Sequence, residues 1–224
     1  MPMSKEATFP SNNLGFSQDF LPTLNCETDV QIQLFGKNEV AELETRIASF
    51  YEMKHALLVS NATIGLLGLA LALDLKNSEF ITSPYTFGGT VAGWLMLNNS
   101  VVFADVEAQT ATINPDNIKR SITSNTKAIL AVDILGNPSD SKTLRKIADE
   151  FGLWYISDSA QSFGAKRSGF PASHLADALV ISFTSGKTLF AGEGGAIVTN
   201  NSDLYEKLLW HTQHPFRQKR ELGL

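Results

Sequence analysis

From Asn38 onward the apolar positions fall into two alternating patterns, one of helical period and one of short continuous runs. Val40, Leu43, Ile47 and Phe50 recur at helical spacing behind Asn38, which stands where an N-cap belongs. The apolar run 56–59 predicts a buried strand, and the polar turn Ser60, Asn61, Ala62, Thr63 then opens an apolar helix over 64–73. Residues 80–82 predict a strand, Ser83, Pro84 and Tyr85 a turn, and 89–97 a helix. A strand is expected at 101–104. Asn114 and Pro115, cap and first-turn proline, then start a helix that runs through Ile118 to Ile122. Residues 128–132 predict a strand, and 141–151 a helix with Leu144, Ile147 and Ala148 on one face. Three further strands are expected at 154–157, 179–183 and 195–199, and Ser202 is expected to cap a last helix over 204–211. The closing stretch FRQKRELGL reads as charged, with no evident closing element. Residues 1–37, with Pro2, Pro10, Pro22 and paired Asn12 and Asn13, read as an arm with little regular structure.

Strand and helix alternate for most of the length. Several strands are continuous apolar runs, which suits a sheet covered on both faces. The fold class expected is α/β, a three-layer doubly wound sheet that is mostly parallel. Ligands in such sheets sit beyond the carboxyl ends of the strands, so the residues just after each strand are the informative ones.

Composition narrows the function classes. With 43% apolar and 18% charged residues in 224, the chain is of ordinary globular type and has room for one domain or two. A net charge of −5 lacks the basic footprint of a duplex-binding protein, so no nucleic acid partner is expected. The single cysteine, Cys26, cannot form an internal disulfide or a cysteine zinc cluster and fits a reducing cytosol. The apolar stretches 64–75 and 91–97 are shorter than the roughly 20 residues of a membrane span, and the first residues lack the apolar core of a signal peptide. A cytoplasmic protein with no membrane partner is expected.

Four candidate features stand at the strand ends. The turn at 60–63 opens a helix, where free N–H groups and the helix dipole favour a phosphate by about 0.3–1 kcal/mol at exposed sites; simple capping by Ser60 or Thr63 explains the same residues. Asp158, at the end of a core strand, costs desolvation free energy unless it is paired, either with a cation on a ligand or with backbone N–H groups. Lys187 lies in the apolar, glycine-rich segment TSGKTLFAGEGG. A desolvated lysine can form a Schiff base with an aldehyde, whereas a surface lysine beside a glycine turn needs no role. Phe87 can stack on a flat ring or simply join the core. Taken together, a phosphate cradle, an aromatic plate, an acid for a protonated pyridine nitrogen and an amine for an aldehyde are what pyridoxal phosphate (PLP) requires.

The chain resembles the DegT/StrS group of nucleotide-sugar aminotransferases, within the fold-type I PLP enzymes. The ordered motifs that carry the resemblance are VSNATIGLLGLAL (59–71), TSPYTFGGTVAG (82–93), VVFADVE (101–107), NTKAILAVDILGNPSD (125–140), ISDSAQSFGA (156–165) and SFTSGKTLFAGEGGAIVTN (182–200). The resemblance implies a PLP-binding large domain over 38–224. It makes Lys187 the residue that forms the Schiff base and moves protons. Asp158 is the partner of the pyridine nitrogen, Gln161 the neighbour of the phenolic oxygen and Phe87 the stacking aromatic. Thr63, the backbone of Ile64, and Ser182 become phosphate ligands. The implied reaction takes an amino group from glutamate or glutamine and gives it to a keto sugar, commonly nucleotide-linked. A homodimer, or a complementing chain, is the implied partner.

Four departures accompany the resemblance. Ala62 stands where the family commonly has glycine, which is mild if the backbone there is helical. Asp133 and Thr184 stand where many members have histidine, which is expected to alter the substrate side. The family's small C-terminal domain is expected to be absent, so the alternatives are a chain completed by another, a silent PLP-fold subunit, or another PLP reaction such as elimination or cyclisation. The lysine itself argues for transamination, because dehydrating members of the family carry histidine in its place.

Overall fold

The computed structural model describes residues 35–223, so the expected arm lies outside the described residues except for 35–37. The main sheet has seven strands in the order β1-β9-β8-β5-β4-β2-β3. They are β1 (His55–Val59), β2 (Glu79–Thr82), β3 (Ser100–Phe103), β4 (Thr126–Val132), β5 (Trp154–Asp158), β8 (Ala178–Ser182) and β9 (Gly195–Thr199). From β3 through β8 the neighbours run parallel. Strand β9 is antiparallel to both β8 and β1. The mostly parallel expectation therefore holds for five strands, and the edge carrying β1 and β9 is reversed. Strand direction follows from how the chain crosses between strands, which short apolar runs do not encode.

Helices cover both faces. Alternate residues of a strand point to opposite sides, and the core divides accordingly. Leu130, Ile156, Val180 and Ile197 pack under α2 (Ala62–Ala72), α3 (Gly88–Met96) and α6 (Ser202–Thr212) through Leu66, Leu69, Trp94 and Leu208. Ile129, Ala131 and Tyr155 face the other way, against Ile118 of α4 (Pro115–Ser121) and Leu144 and Ile147 of α5 (Ser141–Phe151). Ile47 and Tyr51, at the end of α1 (Glu39–Phe50), cover Leu179, Ile181 and Val198. Helix α2 is apolar nearly all round because it is covered by α3 and α6 as well as the sheet. The fully buried Trp94 donates its indole N–H to the Leu66 carbonyl at 2.9 Å, which ties α3 to α2.

Local chemistry corrects several expectations. Asn38 has φ 53° and makes no capping bond, so α1 starts without one. Asn201, not Ser202, caps α6 by accepting from the Leu204 N–H. Residues 166–171 form a hairpin, β6 (Lys166–Arg167) with β7 (Phe170–Pro171), about Ser168 and Gly169 at positive φ. The closing stretch is helical: α7 (Pro215–Leu222) has His214 as cap and Pro215 in its first turn. No helix among the described residues is long and apolar enough to cross a membrane.

Candidate active site

The carboxyl ends of β1, β5 and β8 and the start of α3 enclose a cleft of about 470 Å³. Its lining includes Thr63, Ile64, Phe87, Asp158, Gln161, Ser182 and Lys187. All seven residues singled out from the sequence thus meet in one place. Residues 158, 182 and 187 come together because β5 and β8 are parallel neighbours whose carboxyl ends share an edge.

At the β1 end, Asn61 is extended and caps α2 by accepting the Ile64 N–H at 2.9 Å. The N–H expected from Ile64 is therefore already engaged. The N–H groups of Ala62 and Thr63, in the first turn, have no intrahelical acceptor. Ala62 is the first helical residue, so the replacement of glycine there is accommodated by helical backbone. A Cβ on Gly195 would come within 2.9 Å of the Ala62 nitrogen, so β9 passes close under this turn only because residue 195 has no side chain. Gly89 is constrained in the same way: a Cβ there would meet Thr63 Oγ1 at 2.7 Å and the Phe87 ring at 2.9 Å. Thr63 and Phe87 can therefore converge on one cleft. Phe87 is 73% exposed, so the core reading of this residue is set aside.

Asp158 lies at the floor and is 7% exposed. Thr90 Oγ1 donates to its Oδ2 at 2.6 Å, and the Ala160 N–H donates to Oδ1 at 3.1 Å. Burial pushes the Asp158 carboxyl above its ordinary range; the two hydrogen bonds and the positive charge of Lys187 act against that shift. Gln161 is oriented by the Leu135 N–H, which donates to Oε1 at 2.8 Å. With its oxygen so engaged, the amide presents Nε2 as the remaining donor. Leu135 holds φ 54° to make this contact. Lys187 is half-buried, in a turn closed by its N–H on the Thr184 carbonyl at 3.2 Å. Thr184 donates to Glu193 at 2.8 Å, at the cleft wall.

Three contributors escaped the sequence reading. Asn61 and Thr90 lie in quoted motifs, but nothing in their spacing separates them from their neighbours. Glu193 was visible in GEGG without a role. Asp133, expected on the substrate side, is instead fully buried behind the cleft. Among the described residues no cluster of three or more His, Cys, Asp or Glu could hold a metal ion.

The likeness of this sheet to solved structures, among them 3-amino-5-hydroxybenzoic acid synthase with a TM-score of 0.75 at 30% identity over 78% of this chain and 46% of the other, places the chain among fold-type I α/β enzymes. It belongs to the DegT/DnrJ/EryC1/StrS aminotransferase family, whose model matches residues 25–222. GDP-perosamine synthase of Vibrio cholerae is 33% identical over 171 residues, which is 76% of this chain and 47% of that protein. The structure of DesI in the presence of its TDP-sugar product superposes with a TM-score of 0.73 at 36% identity, covering 79% of this chain and 43% of DesI. GDP-4-keto-6-deoxymannose-3-dehydratase with a trapped PLP-glutamate geminal diamine gives 0.73 at 28% identity over 77% of this chain and 47% of the other. The chain spans about half the length of the curated relatives it matches.

Proposed function

We propose that this chain forms the cofactor-binding part of a PLP-dependent aminotransferase that moves an amino group from glutamate or glutamine to a nucleotide-linked keto sugar. The observation that carries the reading is the meeting of an amine, a buried carboxylate, an amide donor, an exposed aromatic and a helix N-terminus around one cleft. The donor set fits the cofactor. Lys187 is an amine, Asp158 is a buried carboxyl that a cation would hold ionised, and the first turn of α2 has free N–H groups beside the Thr63 and Ser182 hydroxyls. Gly89 and Gly195 hold open the space that a Cβ would fill.

Pyridoxal phosphate supplies an aldehyde for amines and a ring that takes up electrons. The rest is the work of this chain's residues. Lys187 Nζ would supply the amine for that aldehyde and could carry protons. Asp158 would pair with the ring nitrogen's positive charge, and its burial would strengthen that pairing. Gln161 Nε2 would be the donor for the phenolic oxygen and Phe87 the stacking aromatic. The Ala62 and Thr63 N–H groups, with the Thr63 and Ser182 hydroxyls, would hold the phosphate. Transamination is preferred over elimination because the position taken by histidine in dehydrating members is Lys187 here.

We take a second copy of the chain as the partner, with a complementing chain as the alternative. Phe87 in the cleft lining, Leu135, whose N–H bonds Gln161, and Tyr85 and Phe190, which are close in sequence to Phe87 and Lys187, are each at least half exposed. Apolar side chains grouped in this way mark a surface that another protein covers.

Purified chain incubated with PLP and freed of unbound PLP is expected to stay yellow and, after borohydride reduction, to carry a covalent PLP adduct that Lys187→Ala abolishes. A wild-type protein that stays colourless and takes up no PLP refutes the reading.

A further inference from the structure

Asp133 follows β4 directly, at the edge where ligand-binding residues gather, yet its side chain points away from the cleft. It is fully buried, and no ion pair among the described residues includes it. A carboxylate in such surroundings is costly unless its lone pairs are filled. Here they are filled from three segments of the chain. The Ser139 N–H, ahead of α5, donates to Oδ1 at 2.8 Å. The hydroxyls of Ser159 and Ser162 donate to Oδ2 at 2.8 and 3.0 Å, and that of Ser173 at 2.9 Å. The Asp133 N–H donates to the Asp158 carbonyl at 3.0 Å. The phenols of Tyr51 and Tyr155 are also nearby, and both are pushed above their ordinary range by burial and then by Asp133.

Two of these serines belong to the turn that carries Asp158 and Gln161 into the cleft. A single Oδ2 collecting three hydroxyls fixes that turn from behind, as Thr90 and Leu135 fix the two side chains from the front. An asparagine could offer its oxygen to only part of this set, because its other terminal atom is a donor.

We propose that Asp133 is a positioning residue of the cofactor cleft: its carboxylate, caged by Ser159, Ser162 and Ser173, sets the 157–162 turn so that Asp158 and Gln161 present their acceptor and donor to the ligand. The proposal rests on the PLP reading above for the identity of the ligand, and the geometry of the turn is testable without it.

The experiment compares PLP dissociation constants of wild type, Asp133→Ala, Asp133→Asn, Gln161→Ala and the Asp133→Ala/Gln161→Ala pair, below the melting temperature of each. Asp133→Ala is expected to weaken PLP by about tenfold or more, with Asp133→Asn recovering part of the loss. The pair is expected to bind no more weakly than Asp133→Ala alone, because both act through the same turn. Melting temperatures that fall while the dissociation constants stay at the wild-type value overturn the proposal, and so do losses that simply add. If Asp133→Ala does not fold, Ser159→Ala/Ser162→Ala replaces it with the same expectations and no change of charge. If wild type takes up no PLP, the functional reading fails and the positioning role is read on the free protein. The carboxyl carbon resonance of Asp158 then titrates at a displaced midpoint in Ser159→Ala/Ser162→Ala, and an unchanged midpoint overturns the proposal.

Discussion

Asp158 serves two opposed requirements, and they separate with pH. Its folded carboxyl titrates above the ordinary value because burial outweighs its hydrogen bonds. Between the ordinary and the raised value the folded state holds more protons than the unfolded one, so stability falls as pH rises through that window. Replacing Asp158 by Asn removes the penalty. The cofactor-free variant is expected to melt at or above wild type at neutral pH, with the advantage vanishing in acid below the ordinary carboxylate range, where both states are protonated. Its PLP affinity is expected to fall, because the partner of the ring nitrogen is gone. Calorimetry at the two pH values with a PLP titration checks this, and a wild type more stable than the variant at neutral pH without cofactor contradicts it. The residue was legible because an acid at the end of a core strand is costly and therefore conspicuous. Thr90, which donates its shortest bond, was not, since a threonine inside GGTVAG carries no mark of facing inward. Asp133 was legible as a departure, but its direction was not, because only the fold shows that four serines from three segments converge behind it.

Helix α7 shows what hydrophobic periodicity leaves out. Phe216 and Leu222 are its only large apolar residues, so no apolar stripe announces a helix. What holds it is charge. The Arg217 side chain is 3% exposed and forks onto both Glu44 oxygens at 2.9 and 2.8 Å, with Glu221 at 2.9 Å and the Tyr205 hydroxyl at 3.3 Å. Glu44 also accepts the Leu58 N–H of β1 at 2.8 Å. One buried pair therefore joins α1, β1, α6 and α7, and β1 leads straight into the turn that starts α2. A Cβ on Gly36 would come within 2.6 Å of the guanidinium, so the backbone at residue 36 is packed on the same group. Arg217→Ala leaves Glu44 buried without its cation and is expected to cost about 3–5 kcal/mol in urea unfolding. Glu44→Met/Arg217→Met, which removes both charges and keeps volume, is expected to cost less than either single truncation. A loss under about 1 kcal/mol for Arg217→Ala places the pair with surface ion pairs and contradicts the clamp. The parallel strands and the helices between them were legible because local patterning dictates them. The pairing of β1 with β9 and the Arg217–Glu44 bond that anchors α7 were not, because those partners lie over a hundred residues apart, and the reversal of β9 against β8 is set by the chain's path between them and not by its apolar run.

At the scale of the whole molecule, the cleft couples ligand, stability and association. A ligand that binds the folded chain and not the unfolded one stabilises it by RT ln(1 + [L]/Kd), about 2.7 kcal/mol at a hundredfold excess over Kd. For a chain of this size that amounts to a rise of roughly 5–10 °C in melting temperature. Lys187→Ala is expected to keep a smaller rise, since the phosphate turn, Asp158 and Phe87 remain while the covalent link is lost. Phe87 stands 73% exposed and Leu135 72%, so among the described residues one face of the cleft is unwalled. If a second copy supplies that wall, assembly and PLP binding are linked, and each strengthens the other. The PLP-induced rise is then expected to grow with protein concentration, and sedimentation is expected to show PLP moving the chain toward dimer. A rise of the same size at every concentration, with one sedimenting species throughout, shows instead that a single chain closes the cleft by itself and that the exposed apolar residues serve another surface.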